Sequence, residues 1–137
     1  MHKARAQKMI EILKTQDASV YELFGFPSSS VAMAASDSGE VLGAGAVSIN
    51  GGYAVLEGIA MKEEYKMFGL EFGIGKALLN MLDLGGVRYV CADSLDERLA
   101  TSLRFKADYE LPEDCKPDKN YKYFLCLDGY FTSGHCE

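Results

Sequence analysis

Three groups of residues have types and spacing that could do chemistry. Gly73-Ile74-Gly75-Lys76 puts two glycines and a lysine where a helix is expected to open. A helix N-terminus leaves backbone N–H groups unpaired and carries about half a positive charge. Glycines there let a pyrophosphate approach the backbone, so this G-x-G is a candidate anion cradle. It is not the dinucleotide fingerprint, which wants a third glycine where Leu78 stands and a parallel strand–helix–strand unit. Glu57 is the only charge within the run Tyr53 to Met61 and shares a strand face with Tyr53 and Val55. A lone strand carboxylate is a candidate titrating group, and more ordinarily a solvent-facing residue of a half-exposed sheet. Cys91, in the run VRYVCA, could be a nucleophile, although a buried apolar cysteine is ordinarily inert. His135 and Cys136 are adjacent in the tail, and two neighbouring ligands do not make a four-ligand metal site, so no metal is expected.

The elements that must position these groups follow from periodicity and turn chemistry. Ala6, Met9, Ile10 and Leu13 fall at helical spacing and predict an amphipathic helix over residues 3–16. Ser19 with Glu22 is a capping-box pattern opening a short second helix that Gly25 and Pro27 stop. Strands are expected over 30–36, 41–49 and 53–61, joined by Asp37-Ser38-Gly39-Glu40 and Asn50-Gly51-Gly52. Asn-Gly between two β-capable runs is the strongest short-range hairpin signal. A polar loop leads to the helix carrying Ile74, Ala77, Leu78, Met81 and Leu82, which Gly85-Gly86 ends. A strand over 87–92, a helix from the Ser94/Glu97 box to about Ala107 and a strand over 121–127 complete the chain, with a further short strand near Tyr109 to Leu111. The order is ααβββαβαβ: one α+β domain over residues 1–137 with a mixed, mostly antiparallel sheet flanked by helices.

This succession resembles the GNAT superfamily of acyl-CoA-dependent N-acyltransferases. The family's pyrophosphate loop, Gln/Arg-x-x-G-x-Gly/Ala, is matched in part by Leu70-Glu71-Phe72-Gly73-Ile74-Gly75. Its later A-x-x-L-Y-x-K-x-G-F helix is matched by Ala100-Thr101-Ser102-Leu103-Arg104-Phe105-Lys106-Ala107-Asp108-Tyr109. Val41-Leu42-Gly43 resembles the start of the family's third strand. The likeness covers about residues 19–128. It implies acetyl-CoA as co-substrate, held by the strand end Ile59-Ala60-Met61, by Phe72, Gly73, Ile74, Gly75, Lys76 and Ala77, and by Leu103, with Lys62 and Lys66 near the phosphates. It implies Glu57 as base. The acid tyrosine of the family's L-Y pair is replaced by Arg104, leaving Tyr109 or Tyr89 as substitutes. Counting from Met61 puts the loop glycine at Gly69 rather than Gly73. A helix begun at Gly69 would hold Gly73 and Gly75 inside it, each costing about 1 kcal/mol against alanine, so the cradle is placed at Gly73 to Lys76. The family's first strand has no counterpart in this order, which leaves a sheet edge either open or covered by a neighbouring protomer in a homodimer.

Composition limits the rest. The chain has 137 residues, 48% apolar and 25% charged, enough for one core. With 14 basic against 20 acidic residues it carries net −6, which argues against a nucleic-acid partner and mildly favours cationic small molecules. No run approaches the roughly 20 apolar residues of a membrane helix. The four cysteines form no C-x-x-C pair and no export signal precedes them, so reduced thiols in the cytoplasm are expected. The resemblance implies transfer of an acetyl group to a primary amine of a small molecule, by direct attack in a ternary complex. The alternatives are a catalytically silent GNAT-fold CoA-binding module, acting as sensor or subunit, and an oligomerising domain with no ligand.

Overall fold

The computed structural model describes residues 10–131. A six-stranded sheet in the order β1-β2-β3-β4-β5-β6 forms the frame. Its strands are β1 Ile10–Thr15, β2 Val31–Asp37, β3 Glu40–Asn50, β4 Tyr53–Met61, β5 Tyr89–Ala92 and β6 Tyr123–Cys126. The helices are α1 Ala18–Phe24, α2 Phe68–Leu84 and α3 Glu97–Ser102, with one 3₁₀ turn over Glu63–Tyr65. Every neighbouring pair of strands is antiparallel except β4 and β5, which are parallel. The fold is the expected mixed α+β architecture, with four corrections.

First, Ile10–Thr15 is a strand, not part of a helix, and pairs along its whole length with β2. Pairing satisfies its backbone and turns Ile10 and Ile12 onto the core, while Leu13, the expected partner of Ile10 on a helix face, is 59% exposed. An opening strand is therefore present. Ala6 and Met9 lie outside the described residues, as do His135 and Cys136. Second, both short helices start from aspartates. Asp17 accepts from the Ser19 N–H at 3.0 Å, and Asp96 from the Leu99 N–H at 2.8 Å, in place of the Ser19 and Ser94 boxes. Third, α3 ends at Ser102, and Arg104 takes the left-handed conformation with φ of 73°. No strand forms near Tyr109; a single bridge from Lys106 to Phe124 lies beside β6.

The fourth correction concerns the site directly. Helix α2 begins at Phe68, so Gly69, Gly73 and Gly75 all lie within it. Its inward stripe, Ile74, Gly75, Leu78, Leu79 and Leu82, is buried in the main core with Leu99, Ala100 and Leu103 of the α3 segment. A Cβ on Gly75 would stand 2.7 Å from Leu103 Cδ1 and 3.2 Å from Ile59 Cδ1. Glycine there lets α2 lie close against both β4 and the end of α3. That burial outweighs the helix-propensity cost, because packing routinely overrides so weak a preference. The unpaired amides of the helix start belong to residues 68–70, not 73–76, since the Glu71 N–H already donates to the Met67 carbonyl at 3.1 Å.

Candidate active site

The sheet opens at one place. β4 and β5 pair only from Tyr53–Tyr89 to Leu56–Ala92. Beyond Leu56, β4 runs on to Met61 beside β3 alone, and a wedge opens between it and the end of β5. At the apex of that wedge the ladder with β3 slips: Val47 faces Leu56, but Ala46 faces Gly58. Glu57 is the extra residue of this bulge, and bulges re-aim side chains and end pairing.

Backbone direction along the far part of β4 follows from one bond. The Lys62 N–H donates to the Leu42 carbonyl of β3 at 2.9 Å. N–H groups alternate sides along a strand, so Ala60 also faces β3, while Ile59 and Met61 turn their N–H groups into the wedge. Two backbone donors aimed at a gap with no partner strand are a geometry that can stabilise an oxyanion.

Glu57 is half-buried, and its Oε2 accepts from Ser48 Oγ at 2.6 Å. Gly58 beside it is covered on one face by Phe26, whose Cε1 would lie 3.8 Å from a Cβ there. Phe26 also lines a cavity of about 620 Å³ against α1, together with Tyr21, Glu22, Ser28 and Ser30. Phe26 thus lies between this cavity and Gly58 of β4.

The start of α2 lies beyond the mouth of the wedge, after the 3₁₀ turn. Its N-cap is Met67, which makes no side-chain cap bond. A Cβ on Gly69 would meet nothing within 4 Å. Lys62 and Lys66 flank the approach and form no ion pair among the described residues. An uncapped helix start with an open glycine and nearby lysines fits a pyrophosphate.

Several expected site residues are engaged elsewhere. Lys76 lies over the rings of Tyr130 at 4.6 Å, Phe131 at 5.1 Å and Phe72 at 5.8 Å. Burial there, with Arg104 nearby, lowers its pKa. Phe72 stacks on Phe68 with ring centroids 6.2 Å apart. Ile74 and Leu103 are fully buried, and the Leu103 carbonyl accepts from the Tyr130 hydroxyl at 2.8 Å. Ala77 is half-buried on the same helix. The Tyr109 hydroxyl donates to the Tyr121 carbonyl and its ring stacks on Phe124, and burial raises the phenol pKa. Tyr89 donates to Asp114 at 2.8 Å, a bond that pushes its pKa up to about 12. Burial likewise pushes the Cys91 thiol up to about 12, which keeps it protonated near neutrality, as for an ordinary buried apolar cysteine.

Two residues of interest were not singled out by the sequence. Ser48 is one, because its approach to Glu57 depends on the β3–β4 register. The other is Glu71, 9% exposed and the only charge on the inward stripe of α2. Its spacing to Ile74, Gly75 and Leu78 carries the signal, a carboxylate at an otherwise apolar i, i+3, i+4, i+7 set.

Neither a family model nor a curated protein matches the sequence. Solved structures do match in shape. The ribosomal-protein-S18-alanine N-acetyltransferase of Escherichia coli superposes with a TM-score of 0.61 at 14% identity, over 86% of this chain and 91% of that one. A GNAT-family acetyltransferase from Staphylococcus aureus gives 0.63 at 10% identity, over 86% and 99%. The GNAT-family N-acetyltransferase YhbS of Escherichia coli, solved with CoA, gives 0.61 at 17% identity, over 88% and 83%. The fold of this chain is the GNAT acetyltransferase fold.

Proposed function

We propose that this chain is an acetyl-CoA-dependent N-acetyltransferase acting on a primary amine of a small molecule by direct attack in a ternary complex. The observation that carries this reading is the wedge itself. It presents the inward N–H groups of Ile59 and Met61, with the bulged Glu57 at its apex leaning toward Ser48 of β3 and an uncapped helix start beyond its mouth. Acetyl-CoA would bring an activated acyl thioester, its pyrophosphate on the amides of Phe68, Gly69 and Leu70. Glu57 takes a proton from the bound ammonium, the freed amine attacks the thioester carbonyl, and the β4 amides stabilise the charge that gathers on the carbonyl oxygen before the C–S bond breaks. No side chain is assigned as the acid for the leaving group. A thiol of ordinary pKa, about 8.5, can leave as thiolate near neutral pH. The amine approaches along the α1 cavity, where Glu22 and the overall charge of −6 favour a cationic acceptor.

Titration with acetyl-CoA by calorimetry tests the reading. The parent is expected to bind in the micromolar range. Gly69→Glu is expected to weaken binding at least about tenfold, since a carboxylate beside the pyrophosphate brings on the order of 2–4 kcal/mol of repulsion. The open surroundings of Gly69 leave room for that side chain, so the variant should fold. No heat and no thermal shift with the parent would end the cofactor assignment. Binding without transfer to any amine would make the chain a silent CoA-holding module.

A further inference from the structure

We propose that Ser48 is a positioning residue for Glu57, holding one carboxylate oxygen so that the other meets the acceptor amine; this rests on the acyltransferase reading above. The bulge that lifts Glu57 out of the β3–β4 register also takes it out of the ladder's cross-strand pairing. A free glutamate side chain has three rotatable bonds, and ordering it costs conformational entropy. Ser48 lies opposite Val55 on β3, and its hydroxyl donates to Glu57 Oε2 at 2.6 Å. That is the length of a charge-assisted O–H···O⁻ bond, among the stronger kinds. Ser48 and Glu57 are both half-buried, so water competes with the bond only in part. Among the described residues no other side chain bonds Glu57, and Oε1 is left to receive a proton. Neighbouring Val47 is fully buried and Ile49 is half exposed, and neither position offers a polar group. The single hydroxyl on this stretch of β3 therefore meets the single carboxylate of β4.

The test compares Ser48→Ala, Ser48→Thr and Glu57→Gln with the parent, using acetyl-CoA with spermidine or with hydroxylamine. Spermidine is a cation at neutral pH and must lose a proton to react; hydroxylamine is already neutral and makes little demand on a base. Ser48→Ala is expected to lower kcat with spermidine about tenfold, the effect of one charge-assisted bond, with KM for acetyl-CoA unchanged. Ser48→Thr should restore most of the rate, and transfer to hydroxylamine should fall little in either variant. Melting midpoints check folding independently. Full activity of Ser48→Ala beside an inactive Glu57→Gln would overturn the positioning role alone. An equal loss with both acceptors would assign Ser48 to strand structure and overturn it too. Full activity of Glu57→Gln would remove the base and Ser48's role together. A parent inactive with both acceptors would do the same, while the calorimetric titration separately decides the CoA assignment.

Discussion

Glu57→Gln is expected to lower kcat for acetyl transfer to a cationic amine by about 10²–10³-fold, the usual worth of a positioned base. The substitution keeps size and shape. Its amide oxygen can still accept from Ser48, so the bulge and the wedge remain as they are. Affinity for acetyl-CoA should therefore hold, because the amides that would carry the phosphates and the carbonyl oxygen lie on Phe68–Leu70 and on Ile59 and Met61. What disappears is only the ability to remove a proton. Raising the pH should then recover part of the lost rate, as solvent deprotonates more of the amine. Steady-state rates across neutral to alkaline pH check both parts. Activity within about twofold of the parent would exclude Glu57 as the base, since even modest base catalysis exceeds that.

Gly75→Val is expected to destabilise the fold by about 2–4 kcal/mol, lowering the melting midpoint by roughly 10 °C for a domain of this size. Even a Cβ at this position would meet Leu103 Cδ1 at 2.7 Å, Leu103 Cδ2 at 3.1 Å and Ile59 Cδ1 at 3.2 Å. Leu103 is fully buried and cannot swing out to water, so α2 must move away from β4 and the end of α3. The helix-propensity gain from removing a glycine recovers about 1 kcal/mol at most. Gly69→Ala provides the control: with nothing within 4 Å it should be neutral or stabilising by up to about 1 kcal/mol. Denaturant or thermal melts would separate the two glycines. Equal behaviour would contradict the close approach of α2.

The contrast between these glycines shows what was legible in the sequence. The hairpins joining β2, β3 and β4 were readable because their causes are local. Ser38, Gly39 and Gly51 take positive φ values of 54°, 89° and 67°, and those residue types announce it. Tyr53 to Met61 carried its strand bounds in its own composition. The strand Ile10–Thr15 was hidden because Ile10 and Leu13 satisfy helical spacing while Ile10 and Ile12 satisfy strand spacing. Pairing with β2, a contact between distant residues, decided between them. The start of α2 was misplaced for the same reason. Gly73 and Gly75 look like a local turn signal, but Gly75 is there to admit Leu103 and Ile59, which lie far away in the chain. Glu57 could be chosen as the lone charge of its strand. Its bulge and its bond to Ser48 depend on the register between two strands, which neither strand states alone.

The short parallel contact between β4 and β5 also bears on how the chain comes together. β1 to β4 are joined neighbour to neighbour, and β2, β3 and β4 are linked only by tight turns, so that half of the sheet can zip from local contacts. Tyr53–Leu56 meets Tyr89–Ala92 only after residues 62–88 have been laid across the sheet face as α2, a loop closure that local pairing does not require. We therefore expect amides of β2–β4 to gain protection before those of β5 and β6 in a refolding pulse-labelling experiment; simultaneous protection would refute this order. The wedge would then be the last feature to exist, created when two separately assembled halves of the sheet dock along four residues and diverge.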